Sequence, residues 1–194
     1  SPGMADRDWN QFATILDGEN TRSVVYNDFY ENSPLTASAG LDGFVIRNGW
    51  SDWRGAGIYN VNASPSLSNL TISNNYSEGY GAGIANDEIS SPIITNVLIT
   101  GNNASYSGGG IWNNDASSPV LTNVTLSGNR AEEGGGIYND GNKDLPTIRN
   151  SIIYGNSSSI NNLEEVKSYI RNSMVEGLHD VANGNISSVN PLFF

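Results

Sequence analysis

The sequence predicts an all-β protein, a single-stranded parallel β-helix of about six coils. Three observations predict this fold: a glycine-rich phrase that occurs four times, polar columns that repeat every 27 residues, and apolar runs too short for helices. A fixed period of this size indicates stacked units, none of which buries its apolar face alone. The phrase reads GAGIYN at 55–60, GAGIAN at 81–86, GGGIWN at 108–113 and GGGIYN at 134–139.

The second phrase of each unit keeps strict register over four units. Its prolines, and each of its two asparagine columns, lie 27 residues apart. Asparagine tolerates the left-handed backbone of a corner, and its amide can bond the equivalent amide of the next coil. We therefore predict asparagine ladders, with Asp42 ending the first column and Asn48 occupying the second. The first column holds Asn69, Asn96, Asn123 and Asn150, and the second holds Asn75, Asn102, Asn129 and Asn156.

The apolar residues of each unit alternate with polar ones, as they do in short strands. In LTNVTLSGN (121–129), for example, the aliphatic residues oppose the threonines. No unit contains a helix-length periodic segment, and stacked coils would lie about 4.8 Å apart. Two aliphatic columns are predicted to fill the core. One holds Leu67, Ile94, Leu121 and Ile148, and the other holds Ile58, Ile84, Ile111 and Ile137.

Residues 1–194 are predicted to form one β-helix domain. Residues 1–40 would form an irregular first coil with a protruding loop, 41–157 the regular coils, and 158–194 an irregular last coil. Helical spacing competes with a strand near the end of the chain, and a short strand over 166–171 is favoured because IRNS recurs there.

The composition excludes several classes of partner and site. The formal net charge of −11 argues against binding nucleic acid or an anionic membrane surface. No segment approaches the ~20 apolar residues of a membrane span, so direct membrane insertion is not expected. Without cysteine there is no disulfide or thiolate zinc site. The single histidine, His179, is interpreted as a surface residue, and no catalytic residue is assigned.

Aromatic residues form the candidate binding site for a glycan. In the glycine phrases the isoleucine should face the core, so the next residue should face outward, which gives an exposed column of Tyr59, Ala85, Trp112 and Tyr138. Trp53, Tyr80 and Tyr106 would lie on the adjoining loop edge. Exposed aromatic rows suit the faces of sugar rings. The alternative interpretation is cross-strand stacking that stiffens the sheet.

Acidic residues after the glycine phrases form the only candidate metal site. Asp87, Asp115 and Asp140 would lie on one edge and bind calcium weakly, or simply form a solvated acidic rim. No other cofactor is expected. A polysaccharide lyase or glycoside hydrolase is the alternative function, with Arg47 or Arg54 beside a carboxylate cluster.

The paired phrases carry a family resemblance. Gly-Gly-x-Ile-x-Asn followed by aliphatic-x-x-Asn resembles the repeats of chlamydial polymorphic outer-membrane proteins, and the whole chain from residue 6 is similar to right-handed β-helix surface proteins of Bacteroidetes-like bacteria. The resemblance implies a right-handed, pectate lyase-like fold and a secreted or cell-surface bacterial protein, of which this chain would be a fragment or an unusually short member. We expect a non-catalytic module that contacts a polysaccharide or host glycan, or acts in adhesion. The oligomeric state is left open.

Overall fold

The chain folds as a parallel β-solenoid with a period of about 27 residues, so the predicted fold class is confirmed. The computed structural model describes residues 13–29, 34–141, 145–161, 163–179, 181 and 183–186. Parts of the predicted first coil and loop, at 1–12 and 30–33, and the closing NPLFF lie outside the described residues. The right-handed winding, the exact number of coils and the single-domain boundary stay predictions.

Four parallel sheets run along the solenoid, and each winding contributes strands to them in turn. We call them the glycine, proline, long and short faces. The glycine face holds Val25–Asp28, Ile58–Val61, Ile84–Asp87, Ile111–Asn113 and Ile137–Asn139. The proline face holds Gly40–Asp42, Ser66–Ser68, Ile93–Thr95, Val120–Thr122, Thr147–Arg149 and Ile170–Arg171.

The other two faces complete each winding. The long face holds Thr14–Asp17, Phe44–Arg47, Thr71–Ser73, Leu98–Thr100, Thr125–Ser127, Ile152–Ile153 and Met174–Val175. The short face holds Trp50–Ser51, Tyr76–Ser77 and Asn103–Ala104. Backbone groups therefore pair with the windings above and below, which satisfies them without any helix.

The aliphatic columns fill the interior as predicted. Ile94 pairs with Leu121 across the proline face, and Ile84 pairs with Ile111 across the glycine face. All eight predicted core residues are at most 1% exposed, within one continuous apolar cluster. The stacking of identical side chains explains why a unit of 27 residues needs its neighbours to be stable.

Glycine is required in the glycine phrase for two separate reasons. Gly81 has a φ of +61°, a left-handed conformation that other residues adopt only with strain. Gly83 has an ordinary φ, but a Cβ there would lie 2.4 Å from the carbonyl oxygen of Gly110 in the next winding. The phrase thus combines a corner with a close approach of two backbones.

The first asparagine column forms the predicted left-handed corner, and the second does not. Asn69, Asn96, Asn123 and Asn150 have φ between 49° and 56°. In the second column the left-handed residue is the one before each asparagine, such as Asn74 (55°) or Gly101 (66°). Asn75, Asn102 and Asn129 of the second column are buried, Asn156 is half-buried, and all four act through their amides.

The prediction that Asn48 occupies the second asparagine column is wrong by one residue. Arg47 pairs with Ser73, so Asn48 aligns with Asn74, and its φ is 53°. Gly49 stands at the position of Asn75 and donates its N–H to the Asn75 side-chain oxygen at 2.8 Å. The first regular winding is one residue shorter here than the 27-residue spacing implies.

The last winding begins with a short helical segment. An α-helical turn over Leu163–Val166 and a 3-10 turn over Lys167–Tyr169 precede the strand Ile170–Arg171. The strand predicted over 166–171 is therefore correct only for its last two residues. Val166 is fully buried on the helical turn. The helical spacing of the apolar residues was therefore the better predictor of this segment, and the recurrence of IRNS predicted only the strand that follows it.

Candidate aromatic binding site

The loop edge before the glycine phrases is built by backbone pairing, so its side chains stack in fixed columns. Isolated bridges join Arg54 to Tyr80, Tyr80 to Ser107 and Ser107 to Glu133. In the neighbouring column, Tyr80 N–H donates to the Trp53 carbonyl at 2.8 Å. Positions on this edge therefore recur at the strand spacing of about 4.8 Å.

Tyr80 contacts both Trp53 and Tyr106, and we call these three residues the aromatic strip. The ring centroids of Trp53 and Tyr80 are 5.3 Å apart and nearly perpendicular, and those of Tyr80 and Tyr106 are 5.7 Å apart. Trp53 is 52% exposed and Tyr106 is 50% exposed, while Tyr80 between them is half-buried. The predicted loop-edge set is thus brought together, with two accessible rings.

The predicted exposed column on the glycine face is in register but is not exposed along its length. Tyr59, Ala85, Trp112 and Tyr138 pair in succession, as expected. Trp112, however, is only 1% exposed and Ala85 is fully buried, while Tyr59 and Tyr138 are half-buried. The reason is that Tyr80 covers Trp112, with ring centroids 5.2 Å apart, and the Arg54 guanidinium lies 4.7 Å from the indole centroid.

Tyr26 is an aromatic residue of this column that the sequence reasoning missed. It pairs with Tyr59 one winding earlier, its ring lies 5.2 Å from the Tyr59 ring, and it is 61% exposed. Its phrase, VVYN, lacks the glycines of the later copies but keeps the aromatic-Asn pair, which is the signal that would have identified it.

Arg54 and Asp87 form an ion pair beneath the aromatic strip. The Arg54 guanidinium contacts Asp87, which is 4% exposed. Asp87 Oδ2 accepts a hydrogen bond from the Tyr59 hydroxyl at 3.3 Å, and Oδ1 accepts from Asn114 Nδ2 at 2.8 Å. Arg54 and Asp87 are 33 positions apart in the sequence, so the 27-residue period does not reveal this ion pair.

Burial and the charge of Asp87 change the acidity of Tyr59. Burial chiefly, and then the neighbouring carboxylate, raise the pKa of Tyr59 to about 12. Burial also raises the pKa of Tyr138, with Asp140 and Glu133 adding to the effect. Both phenols are therefore neutral hydrogen-bonding groups at physiological pH.

Two donors next to the strip have no acceptor within the described part of the chain. They are Arg54 Nε and the indole Nε1 of Trp112, both buried. A buried donor without a partner is costly, and two of the four such buried atoms among the described residues lie here, the others being Asp28 Oδ1 and Asn139 Nδ2. The surroundings of Trp112 are therefore not optimised for stability alone.

The predicted acidic row is interrupted by the register of the windings. Asn114, not Asp115, stands above Asp87, because Asn86 pairs with Asn113. Asp115 and Asp140 are exposed, and Asp87 is engaged by Arg54. Within the residues that the structure describes, no three acidic or histidine side chains are grouped to hold a metal ion. Calcium binding by this row stays a prediction.

The other residues considered for chemistry lie apart from one another. Arg47 Nε contacts Asp17 Oδ2 at 2.8 Å on the long face, and His179 is exposed, as predicted. Each of the two candidate lyase arginines thus contacts one carboxylate. No helix described in the structure is both long enough and apolar enough to span a bilayer.

Two open grooves flank the aromatic strip. One of about 360 Å³ includes Tyr26, Trp53, Arg54 and Tyr59 in its lining, and one of about 680 Å³ includes Ser105, Arg130 and Glu132. The strip and its grooves form a shallow surface with flat apolar faces and polar margins. Such a surface can bind an extended ligand without enclosing it.

Comparison with known proteins identifies the repeat but not the chain as a whole. A family model described as the Chlamydia polymorphic membrane protein repeat matches residues 123–140, which run from a first-column asparagine through the glycine phrase GGGIYN. The resemblance to these repeats is thereby confirmed for that segment. No curated protein and no solved structure matches the chain.

Proposed function

We propose that the protein is a non-catalytic β-helix module of a bacterial cell surface that contacts glycans through the aromatic strip. The single observation that carries this proposal is the pair of half-exposed rings, Trp53 and Tyr106, fixed on either side of Tyr80. Flat aromatic faces with polar margins are suited to stacking on sugar rings.

The rigidity of the strip supports a binding role. Each ring is anchored on backbone that pairs with adjacent windings, and Tyr80 is packed against Trp112 and Arg54. Little side-chain entropy is then lost when a ligand binds, which favours affinity from a small contact area. A purely stacking role would not require Trp53 and Tyr106 to expose half of their surface.

The location at the cell surface is supported by the repeat match. Residues 123–140 match the polymorphic membrane protein repeat, and the described windings before this segment follow the same pattern. Antibody labelling of intact cells that produce the native protein tests this location. Labelling only after lysis would contradict it.

Glycan-array binding of the wild-type chain and the variant W53A/Y106A tests the proposed activity. We expect the wild type to bind a defined set of glycans and the double variant to lose at least about tenfold in affinity, since each stacked ring contributes on the order of 1 kcal/mol or more. Equal binding by both proteins would overturn the assignment to the strip.

Tyr169 offers a matched control. It is 43% exposed on the 3-10 turn Lys167–Tyr169, outside the strip, so Y169A removes a comparable aromatic surface. We expect Y169A to bind as the wild type does. Incubating the bound glycans with the wild type and following chain length tests the alternative of a lyase or hydrolase, which would shorten them.

A further inference from the structure

We infer that the aromatic strip selects uncharged glycan chains that lie along the solenoid axis, and that a carboxylate rim rejects glycans with acidic groups. This inference rests on the proposed function and names the ligand class of the same site. Two features carry it: the direction of the strip and the charges beside it.

The strip runs along the stack of windings. Trp53, Tyr80 and Tyr106 belong to three successive units, and Gly79 lies between Trp53 and Tyr106 in their column, because Tyr106 N–H donates to the Gly79 carbonyl at 3.0 Å. The backbones that carry Trp53 and Tyr106 are therefore about 10 Å apart, twice the strand spacing. A long, thin ligand parallel to the axis contacts both rings, whereas a compact one contacts only one.

Four exposed carboxylates border the strip, and we call them the carboxylate rim. Asp52 and Glu78 stack in the column before Trp53, because Glu78 N–H donates to the Ser51 carbonyl at 2.9 Å. Glu133 N–H donates to the Tyr106 carbonyl at 3.1 Å, which places the next carboxylates at the end of the strip. The rim consists of Asp52, Glu78, Glu132 and Glu133, all of which are exposed.

The nearby cations do not neutralise the negative charge of the rim. Arg54 is paired with Asp87 and is about three-quarters buried, so its charge is largely balanced by that carboxylate. Arg22 and Arg130 are exposed in the windings before and after the strip, and two cations stand against four carboxylates. The chain as a whole carries −11, so the potential at the strip is negative.

A cationic ligand is disfavoured for a different reason. Aromatic faces beside carboxylates attract cations, but at Trp53 and Tyr80 Arg54 already occupies that position, with its guanidinium carbon 5.4 Å from the Trp53 ring centroid and 5.9 Å from that of Tyr80. The outward faces that remain on Trp53 and Tyr106 favour the C–H faces of neutral sugars, whose hydroxyls can donate to the rim.

Calorimetric titration with matched oligosaccharides tests the inference. The neutral backbone that binds most strongly on the array is compared, at equal length, with its C6-carboxylate form and with its 2-amino form. We expect the neutral form to bind about tenfold or more tightly than the carboxylate form at low salt, because like charges in contact are strongly unfavourable. In roughly 1 M salt, where screening acts over about 3 Å, the difference should shrink.

The variant E132Q/E133Q tests whether the rim causes the weaker binding of the carboxylate form. Relative to the neutral form, it should bind the carboxylate form several-fold more tightly than the wild type does, because it removes two negative charges while the glutamine oxygens still accept hydrogen bonds from sugar hydroxyls. The control E19Q/E165Q removes two exposed carboxylates elsewhere on the chain. It should leave the ratio of the affinity for the neutral form to that for the carboxylate form unchanged. If the control narrows the ratio equally, net charge and not the rim is responsible, and the assignment to the rim is overturned.

The possible failures are distinguishable. If the carboxylate or amino form binds as tightly as the neutral form, the inference is wrong while the glycan proposal stands. If no glycan binds, the proposed function fails and the inference fails with it.

Discussion

Two corners of the solenoid carry asparagine at the same 27-residue spacing, but they use it differently. We call the corner of Asn75, Asn102 and Asn129 the buried corner, and that of Asn69, Asn96 and Asn123 the exposed corner. In the buried corner the three side chains are at most 1% exposed and the asparagines themselves are not left-handed, since the residue before each one makes the turn. In the exposed corner the backbone is left-handed and the side chains face solvent.

The buried corner is held by amides that each make several bonds. Asn102 Nδ2 donates to Asn129 Oδ1 at 3.0 Å and to the Ile72 carbonyl at 3.0 Å. Its own Oδ1 accepts from the N–H of Asn75 at 3.1 Å and from Asn75 Nδ2 at 2.8 Å. The side chain therefore satisfies backbone groups that the turn itself leaves unpaired.

The exposed corner has longer and fewer bonds between its amides. Asn96 Nδ2 donates to Asn69 Oδ1 at 3.3 Å, and Asn123 Nδ2 donates to Asn96 Oδ1 at 3.1 Å. Water competes for these groups, so each bond adds little. Asparagine is required here chiefly because it tolerates a positive φ. The same residue at the same spacing thus serves hydrogen bonding in one place and backbone conformation in the other.

The largest effect is expected from Asn102→Ala in the buried corner. The substitution removes the acceptor of the Asn75 N–H and of Asn75 Nδ2 and the donor to the Ile72 carbonyl, while Asn129 Oδ1 keeps its bond from the Asn102 N–H. Each unsatisfied buried group costs about 1–3 kcal/mol. We expect the free energy of unfolding to fall by about 3–6 kcal/mol in urea denaturation. A loss below about 1 kcal/mol would show that the buried ladder is not structural.

The substitution of a core isoleucine gives a loss of stability with which the effect of Asn102→Ala can be compared. Ile111 is fully buried between Ile84 and Ile137. Ile111→Ala should lower the free energy of unfolding by about 2–5 kcal/mol, through lost burial and the cavity left behind. A variant as stable as the wild type, measured by the same denaturation, would contradict the placement of this column in the core.

Substitutions at the exposed corner separate conformation from hydrogen bonding. Asn96→Ala should cost about 1–2 kcal/mol because alanine is strained at a φ of 56°. Asn96→Gly should cost less, about 0.5 kcal/mol or less, because glycine adopts this conformation freely. Asn102→Gly, in contrast, should cost as much as Asn102→Ala. If Asn96→Gly and Asn102→Gly lower the free energy of unfolding equally in urea denaturation, the proposed difference between the two corners is wrong.

The smallest effect is expected at the first winding, where Asp17 accepts hydrogen bonds from Asn48 Nδ2 at 3.1 and 3.0 Å. The Glu19 backbone N–H, then Arg47 and Asn48, hold the pKa of Asp17 below its usual value of 3.8. A lowered pKa means stabilisation that is present above the unfolded value and is lost as pH falls through the folded value. Asp17→Asn should therefore be slightly less stable than the wild type near pH 7, and the difference should shrink as the pH falls below 3.8. A difference that does not depend on pH in urea denaturation would contradict this role.

The sequence predicted the period, the core columns and the existence of ladders because stacking repeats each environment once per unit. It did not separate the two asparagine columns, since spacing carries no information on which side of a corner is buried. The burial of Trp112 was missed for a related reason: it depends on Tyr80 and Arg54, which belong to earlier units and to another edge. The Arg54–Asp87 pair crosses from one edge to another, so no column contains it.

The direction of the amide bonds has a consequence for how such a chain can change in length. In the buried corner each amide donates to the unit that follows, whereas in the exposed corner it donates to the unit before, and there Asp42 only accepts. Any interior unit can therefore be duplicated or removed whole, because each offers its neighbours the same donors and acceptors.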